Sequence, residues 1–307
     1  ALFIQDLLLS SVRMATPILI VALAELYSER AGMINIGLDG IMAFGSLIGF
    51  LVSYTTGNPY LGILCGAGSG ILINMVYAIA TITLGAQQIV YGMAINIFAP
   101  AMASFIYKVY FGINSTLVSA RVMKTMPIPV LSQIPFIGPI LFDHTLIVYL
   151  AYIFVPFTYF FFNKTKAGLN YKAVGEYPKA AESLGINAIL HKYIGCIICG
   201  GVAGIGGAYL TTCYISTYTD GVVSGRGFIA LSAVIFGRWM PSGVLIAALL
   251  FGFTDALQLR LQVLNPNTPY QLLAMIPYIS TLVILAVTGF KKAGPKSKGI
   301  PYFREER

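Results

Sequence analysis

Side chains that could carry acid–base chemistry are few in this sequence and lie far apart. Asp255 is the one carboxylate well inside an apolar stretch, and Arg260 follows it by about one and a half helical turns. Glu25 and Asp39 lie at the edges of a polar break, and the two histidines lie near the ends of apolar stretches. We find no Ser/His/Asp or Cys/His arrangement and no metal-ligand spacing, so we expect no catalytic residue and no metal site.

The context of the cysteines and the lack of a phosphate-binding loop also argue against enzyme chemistry in this chain. Cys196 and Cys199 form a C-x-x-C within a Gly-rich apolar stretch that has no nearby His or acidic residue in the sequence. This context favours packing over metal or redox chemistry. The sequence also contains no G-x-x-x-x-G-K-[ST] loop. If transport is driven by ATP, ATP and Mg²⁺ must be bound by another polypeptide.

The elements that position these residues are apolar helices. Of 307 residues, 57% are hydrophobic and only 10% are charged, and the mean hydropathy is +0.81. Apolar runs of about 18 residues or more, enough for a bilayer, recur along the chain. We therefore predict an all-α, polytopic membrane bundle with a single domain over residues 1–307. The net charge of +8 lies mainly in Lys-rich loops, which indicates an anionic lipid surface rather than nucleic acid.

Hydropathy and turn signals predict about nine transmembrane helices. Glycines at every fourth position in the second and third of these predict close helix packing. The predicted helices cover approximately residues 7–27, 38–54, 60–84, 89–110, 144–162, 190–210, 226–239, 244–261 and 272–290.

Lysine counts predict the orientation of the bundle. Residues 164–192 contain five lysines, residues 291–307 contain six Lys or Arg residues, and residues 112–142 contain only Arg121 and Lys124. The positive-inside rule places the first two segments in the cytoplasm and the third outside. An even number of crossings must separate the two cytoplasmic segments, so the short 226–239 stretch has to cross as well. We predict an N-terminus outside and a cytoplasmic C-terminus, with a basic, partly disordered tail over 291–307.

A polar interruption at residues 171–187 predicts a short helix. Pro178 suits its first turn, because a proline lacks the N–H that would have no partner there. Ala180, Ala181 and Leu184 form an apolar stripe at helical spacing, and Gly185 is placed to end the helix. A helix of this length is unstable alone, so we expect it to lean on another surface. The pattern alone favours an ordinary amphipathic loop helix over a helix with a specific partner.

The same residues resemble a known motif. The sequence GEYPKAAESLGI, residues 175–186, is similar to the cytoplasmic coupling segment of permease subunits in bacterial ATP-binding-cassette importers. Tyr177 replaces the Asn that is usual there. The resemblance implies that residues 164–190 are a cytoplasmic segment whose short helix docks on an ATPase. The residues that would carry this docking are Glu176, Tyr177, Pro178, Lys179, Ala180, Ala181, Leu184 and Gly185.

Two further stretches resemble the nucleoside permeases of the same importers. SERAGMINIGLDGIMAFG, residues 28–45, carries the Glu-Arg-x-Gly-x-x-Asn-Ile-Gly pattern, and GRGFIALSAVIFGRWMPSG, residues 225–243, resembles their late Gly-Arg-Gly-Phe segment. The three matches follow in the right order over nearly the whole chain. Permeases for simple sugars and branched-chain amino acids share the architecture, so the motifs define the family better than the cargo.

The break at residues 28–40 is the predicted lining of the substrate pathway. Non-helical backbone at membrane depth requires a protein or water-filled environment, and its free N–H groups would offer weak hydrogen bonds to a polar solute. A tightly packed cytoplasmic turn is the alternative. Exposed aromatic side chains could stack on a nucleobase, although they could equally face lipid or the core. The candidate pathway residues are Asn35, Asp39, Gln87, Tyr91, Asn96 and Phe228.

The resemblance implies a permease subunit of an ATP-driven importer in the bacterial cytoplasmic (inner) membrane, with nucleosides as cargo. It also implies a cytoplasmic ATP-binding subunit, a second permease that is identical or homologous, and an extracellular substrate-binding protein. A simple sugar such as ribose is the alternative cargo. A stand-alone ion-coupled transporter and a passive channel are alternatives from other classes; the scarcity of carboxylates within the spans disfavours the first.

Overall fold

The structure, a computed structural model, describes residues 2–112, 118–129, 131–264, 269–288 and 294–303. This part of the chain is helical, and seven of its helices are long and apolar enough to cross a membrane. The predicted all-α membrane bundle is confirmed. The α-helices are α1 (Leu2–Arg30), α2 (Leu38–Thr56), α3 (Pro59–Ala78), α4 (Gln88–Phe111), α5 (Ile137–Phe142), α6 (Leu146–Lys164), α7 (Lys166–Glu176), α8 (Pro178–Ser183), α9 (Ala188–Tyr209), α10 (Arg226–Phe236), α11 (Pro241–Leu264), α12 (Tyr270–Ala274) and α13 (Ile276–Thr288).

Helices α1, α2 and α9 form the centre of the bundle. In their most apolar windows 78%, 61% and 72% of the residues are buried, against 17% in α4 and 28% in α6. Short π-helical turns, Ile79–Thr83 and Leu210–Tyr214, extend α3 and α9. Helices α4 and α6 therefore expose most of their apolar surface at the outside of this chain.

Glycines allow α2, α3 and α9 to touch backbone to backbone, as the fourth-residue spacing predicted. A methyl group in place of the Gly66 hydrogen would lie 2.7 Å from the Ala208 Cβ and 3.1 Å from the Gly45 carbonyl oxygen. The equivalent methyl group on Gly45 would lie 2.6 Å from the carbonyl oxygen of Gly204. Such distances leave no room for a side chain, so these glycines determine how closely the three helices approach.

Helix α10 is a half-length element. Its 11 residues span only about 16 Å, whereas the hydrocarbon core is about 30 Å thick. It is therefore too short to cross the membrane alone. The predicted path of nine crossings requires residues 226–239 to cross. That count, and the orientation of the termini, remain predictions.

The segment after α4, predicted to lie outside, packs against the π-helical turn that extends α9 and against the residues that follow this turn. The Ala120 N–H donates to the Ser216 carbonyl at 2.8 Å, and the Met123 N–H donates to the Thr212 carbonyl at 2.7 Å. Residues 113–117 and 130 of this predicted loop lie outside the described residues.

Part of the basic tail predicted over residues 291–307 is ordered. Residues 294–303, termed here the 294–303 segment, fold back on the bundle, and Ser297 is buried. Its backbone N–H donates to the Gly175 carbonyl at 3.0 Å, and the Gly299 N–H donates to the Gly32 carbonyl at 3.2 Å. These hydrogen bonds explain why a polar, basic stretch is ordered. The remainder of the predicted tail, and the last two residues of the predicted 272–290 helix, lie outside the described residues.

Candidate functional site

The coupling segment folds as two short helices, α7 and α8, joined at Tyr177. Pro178 occupies the first turn of α8, as predicted. Beyond the last helical residue, the Ile186 N–H donates to the Ala181 carbonyl at 3.0 Å and the Gly185 N–H donates to the Glu182 carbonyl at 2.9 Å. This pair of bonds is a Schellman motif, and Gly185 has the left-handed φ of +82° that the motif requires.

The predicted apolar stripe on this helix is wrong. Ala181 is 2% exposed and packs with Val174 and Ala188, whereas Leu184 is 80% exposed. Ala180 is also exposed. Ala181 therefore anchors the helix to the bundle, and Leu184 projects outward from it.

Tyr177 takes the position before Pro178 without a capping hydrogen bond from its side chain. Its hydroxyl instead accepts a hydrogen bond from Lys296 Nζ at 2.7 Å, and this contact raises the pKa of Lys296 above its ordinary value. Tyr177 is 57% exposed. A groove of about 470 Å³ lies here, with walls from Glu176 to Ala180 on one side and the 294–303 segment on the other.

One candidate pathway residue, Asn96, holds the break between α1 and α2 in place. The Asn96 amide donates to the Ile36 carbonyl at 2.7 Å and accepts from the Gly40 N–H at 2.8 Å. Asn96 lies eight residues after the first residue of α4, which corresponds to about 12 Å along the helix. The break therefore lies beside the first half of α4.

Asp39 connects this break to the half-length helix. Its Oδ1 accepts the Gly227 N–H at 3.0 Å, so a carboxylate meets the positive N-terminal end of α10. Arg226 in the same turn pairs with Asp255 at 3.7 Å. Asp255 thus contacts α10, and its sequence neighbour Arg260 contacts Asp6 instead, at 3.5 Å.

Asn35 lies in a buried polar cluster that the sequence analysis missed. The Asn35 side chain is fully buried and donates to Asn74 Oδ1 at 2.8 Å, while its N–H donates to Glu25 Oε1 at 2.9 Å. Cys199 Sγ donates to Glu25 Oε2 at 2.9 Å. The C-x-x-C motif therefore has an acidic partner in space. Among the described residues, no group of three or more His, Cys, Asp and Glu side chains could hold a metal ion.

The remaining candidate pathway residues are exposed on this chain. Gln87 immediately precedes α4, Tyr91 is in its first turn and is 39% exposed, and Phe228 in the first turn of α10 is 41% exposed. The six candidates thus divide into two groups. Asn35, Asp39 and Asn96 organise the break, and the other three present side chains outward.

Comparison with known proteins matches this architecture to a transport family. The family model described as "Branched-chain amino acid transport system / permease component" matches residues 7–288. The chain is 37% identical over 306 residues to the guanosine ABC transporter permease protein NupQ of Bacillus subtilis, with 95% of each chain covered. It is 34% identical over 301 residues to the nucleoside ABC transporter permease protein NupC of Lactococcus lactis, again with 95% of each covered.

A further relative is named for a different cargo. The putative glucose ABC transporter permease protein TsgC13 of Haloferax volcanii is 34% identical over 306 residues, with 92% of each chain covered. No solved structure matches. A membrane bundle with this arrangement, a family match over nearly its full length and relatives of this similarity together establish that the chain belongs to the branched-chain amino acid transport system / permease component family.

Proposed function

We propose that this chain is the permease subunit of an ATP-driven importer and forms the translocation pathway for nucleosides. The observation that carries this proposal is the full-length similarity to two permeases named for guanosine and for nucleosides. The bundle, the break between α1 and α2 and the exposed coupling helix fit the same role. The whole chain acts as one permease domain and has no enzymatic step of its own.

The partners follow from this role. A cytoplasmic ATP-binding subunit holds ATP and Mg²⁺ and docks on α8, and an extracellular protein delivers the substrate. A second permease, identical or homologous, completes the pathway, because the exposed pathway candidates on α4 and α10 face away from this chain. The five lysines of residues 164–192 support a position of this segment on the cytoplasmic side of a bacterial inner membrane. Copurification in mild detergent tests these partners: if no ATPase accompanies the chain, the assembly proposed here is wrong.

The cargo proposal is tested by competition. In cells that contain the complete transporter, we expect unlabelled nucleosides to displace radiolabelled guanosine uptake, and we expect glucose and ribose to leave it unchanged. A polar solute with a flat base can stack on exposed aromatic side chains, which a sugar does less well. Absence of guanosine uptake, together with uptake of radiolabelled glucose or ribose in the same cells, would assign the chain a sugar as cargo, as the name of the third relative suggests.

Within the pathway, we assign Asn35, Asp39 and Asn96 to holding the break open and Gln87, Tyr91 and Phe228 to contact with the passing solute. Phe228→Ala should then lower guanosine uptake in the same assay, about tenfold if one stacking contact is lost. Phe160→Ala, at a 59% exposed Phe of α6, is the matched control. Equal effects of the two substitutions would remove Phe228 from the pathway.

A further inference from the structure

The 294–303 segment joins the coupling helices to the end of α10. On the coupling side, Ser297 Oγ donates to the Gly175 carbonyl of α7 at 2.6 Å. Tyr302 OH donates to Glu182 Oε2 of α8 at 2.8 Å, and its ring packs against the Val174–Ala181–Ala188 cluster. With the Lys296 contact to Tyr177, the segment touches both coupling helices at several points.

Away from the coupling helices, the segment contacts the turn that follows α10. Lys298 Nζ lies 2.8 Å from Glu29 Oε2 of α1 and 4.6 Å from the centre of the Trp239 ring. Trp239 donates its ring N–H to the same carboxylate, and its carbonyl accepts from Arg30 Nη2 at 2.7 Å. Trp239 belongs to the turn between α10 and α11, so α1, α10 and the 294–303 segment meet at one carboxylate.

Lys298 is essential to this junction because Glu29 is completely buried. Removal of Lys298 would leave the Glu29 carboxylate buried without its cationic partner, and removal of one partner of a buried ion pair is strongly destabilising. The ring of Trp239 adds a cation–π contact to the same ammonium group. The junction is therefore stiff, and its position depends on a residue of the 294–303 segment.

Adjacent residues of the segment contact the coupling helices and the junction after α10. Residue 297 contacts the coupling side and residue 298 contacts the α10 side. A displacement of α7 and α8 must then displace Trp239, and α10 extends from there to Gly227, where it meets Asp39. Coupling between distant sites needs such a contiguous set of packed and hydrogen-bonded groups.

We propose that the 294–303 segment transmits motion of the coupling helix to α10, through the Lys298–Glu29–Trp239 junction, and so controls the half-length helix beside the pathway. This inference rests on the proposed function, since it assumes that an ATPase moves α8. A direct contact between Gly175 and Arg30 gives a second, shorter connection, so loss of the segment weakens coupling and does not eliminate it.

The test separates coupling from docking. Lys298→Met removes the charge and preserves the length of the side chain, and none of the exposed residues of α8 is changed. In proteoliposomes of the complete complex, we expect ATPase copurification and ATP hydrolysis to be retained, and guanosine uptake per ATP hydrolysed to fall about tenfold. Lys298→Arg should restore most of the coupling. Lys166→Met, at an exposed lysine that begins α7, is the matched control.

A double variant covers the case in which Lys298→Met fails to fold. Replacement of both charges, Glu29→Gln with Lys298→Met, removes this buried ion pair as a whole and should fold, yet it should remain poorly coupled because the link between the elements is gone. Normal uptake per ATP in a folded Lys298→Met or double variant would overturn the proposal. So would a loss of ATPase binding in Lys298→Met, since the segment would then be a docking element. Absence of ATP-driven guanosine uptake by the unchanged complex would instead contradict the proposed function.

Discussion

Replacement of Leu184 by Asp is expected to separate the ATPase from the permease and to abolish ATP-driven uptake. Leu184 is 80% exposed, so the change should cost the permease fold no more than about 0.5 kcal/mol. Under a docked ATPase, the leucine would contribute about 1.5–3 kcal/mol of buried apolar surface, and an unpaired carboxylate in its place would add a penalty. Association should therefore weaken by about 100-fold or more, as measured by ATPase copurification and guanosine uptake.

Leu169→Asp is the control for this prediction. Leu169 lies in α7 and is 66% exposed, so it receives the same chemical change on the same segment away from α8. The docking role of α8 is wrong if the Leu184 variant retains ATPase binding and uptake. It is equally wrong if both variants lose ATPase binding to the same extent. Ala181 is unsuitable for this test, because its side chain is buried against the bundle.

Replacement of Gly66 by Val is expected to destroy the α2–α3–α9 packing. The added atoms would collide with Ala208 and with the carbonyl oxygens of Gly45 and Gly204, the last only 3.3 Å from the first added carbon. Overpacking of a tight interior costs about 1–3 kcal/mol, and backbone atoms on two sides leave little freedom to adjust. We expect a large loss of monodisperse protein in size-exclusion chromatography and a lower midpoint of thermal unfolding in detergent.

Gly68→Val is the matched control for this second substitution. Gly68 is on the same helix, and nothing lies within 4 Å of the position that its Cβ would occupy. The same valine should therefore leave the yield and the unfolding midpoint close to those of the unchanged protein. Equal behaviour of the two variants, whether both are harmless or both are damaging, would refute this helix packing.

Local patterns predicted the fold and the position of α8. Hydropathy identifies the long helices, and the glycine at position 185 identifies the end of α8, because both signals come from residues close together in the sequence. The contact faces of α8 were mispredicted for a related reason. Helical spacing assigns Ala180, Ala181 and Leu184 to one face, but the short helix is held between α7 and α9, and these neighbours determine which side is buried.

Contacts between distant residues account for what the sequence analysis missed. Cys199 and Glu25 are 174 positions apart, and no local pattern pairs them. Residues 291–307 were expected to be partly disordered because they are polar and basic, yet Lys298 compensates a buried carboxylate on α1. The one available signal was Glu29 itself, since a carboxylate at the end of an apolar helix needs a cationic partner.

We expect this chain to move its substrate only when an ATPase drives it through α8. The most direct test of this dependence is guanosine accumulation in proteoliposomes that contain either this chain alone or the chain with its copurified ATPase, second permease and binding protein. We expect accumulation above the external concentration only in the complete assembly and only with ATP and Mg²⁺. Uphill accumulation by this chain alone, abolished by an ionophore, would contradict ATP-driven transport and identify an ion-coupled transporter.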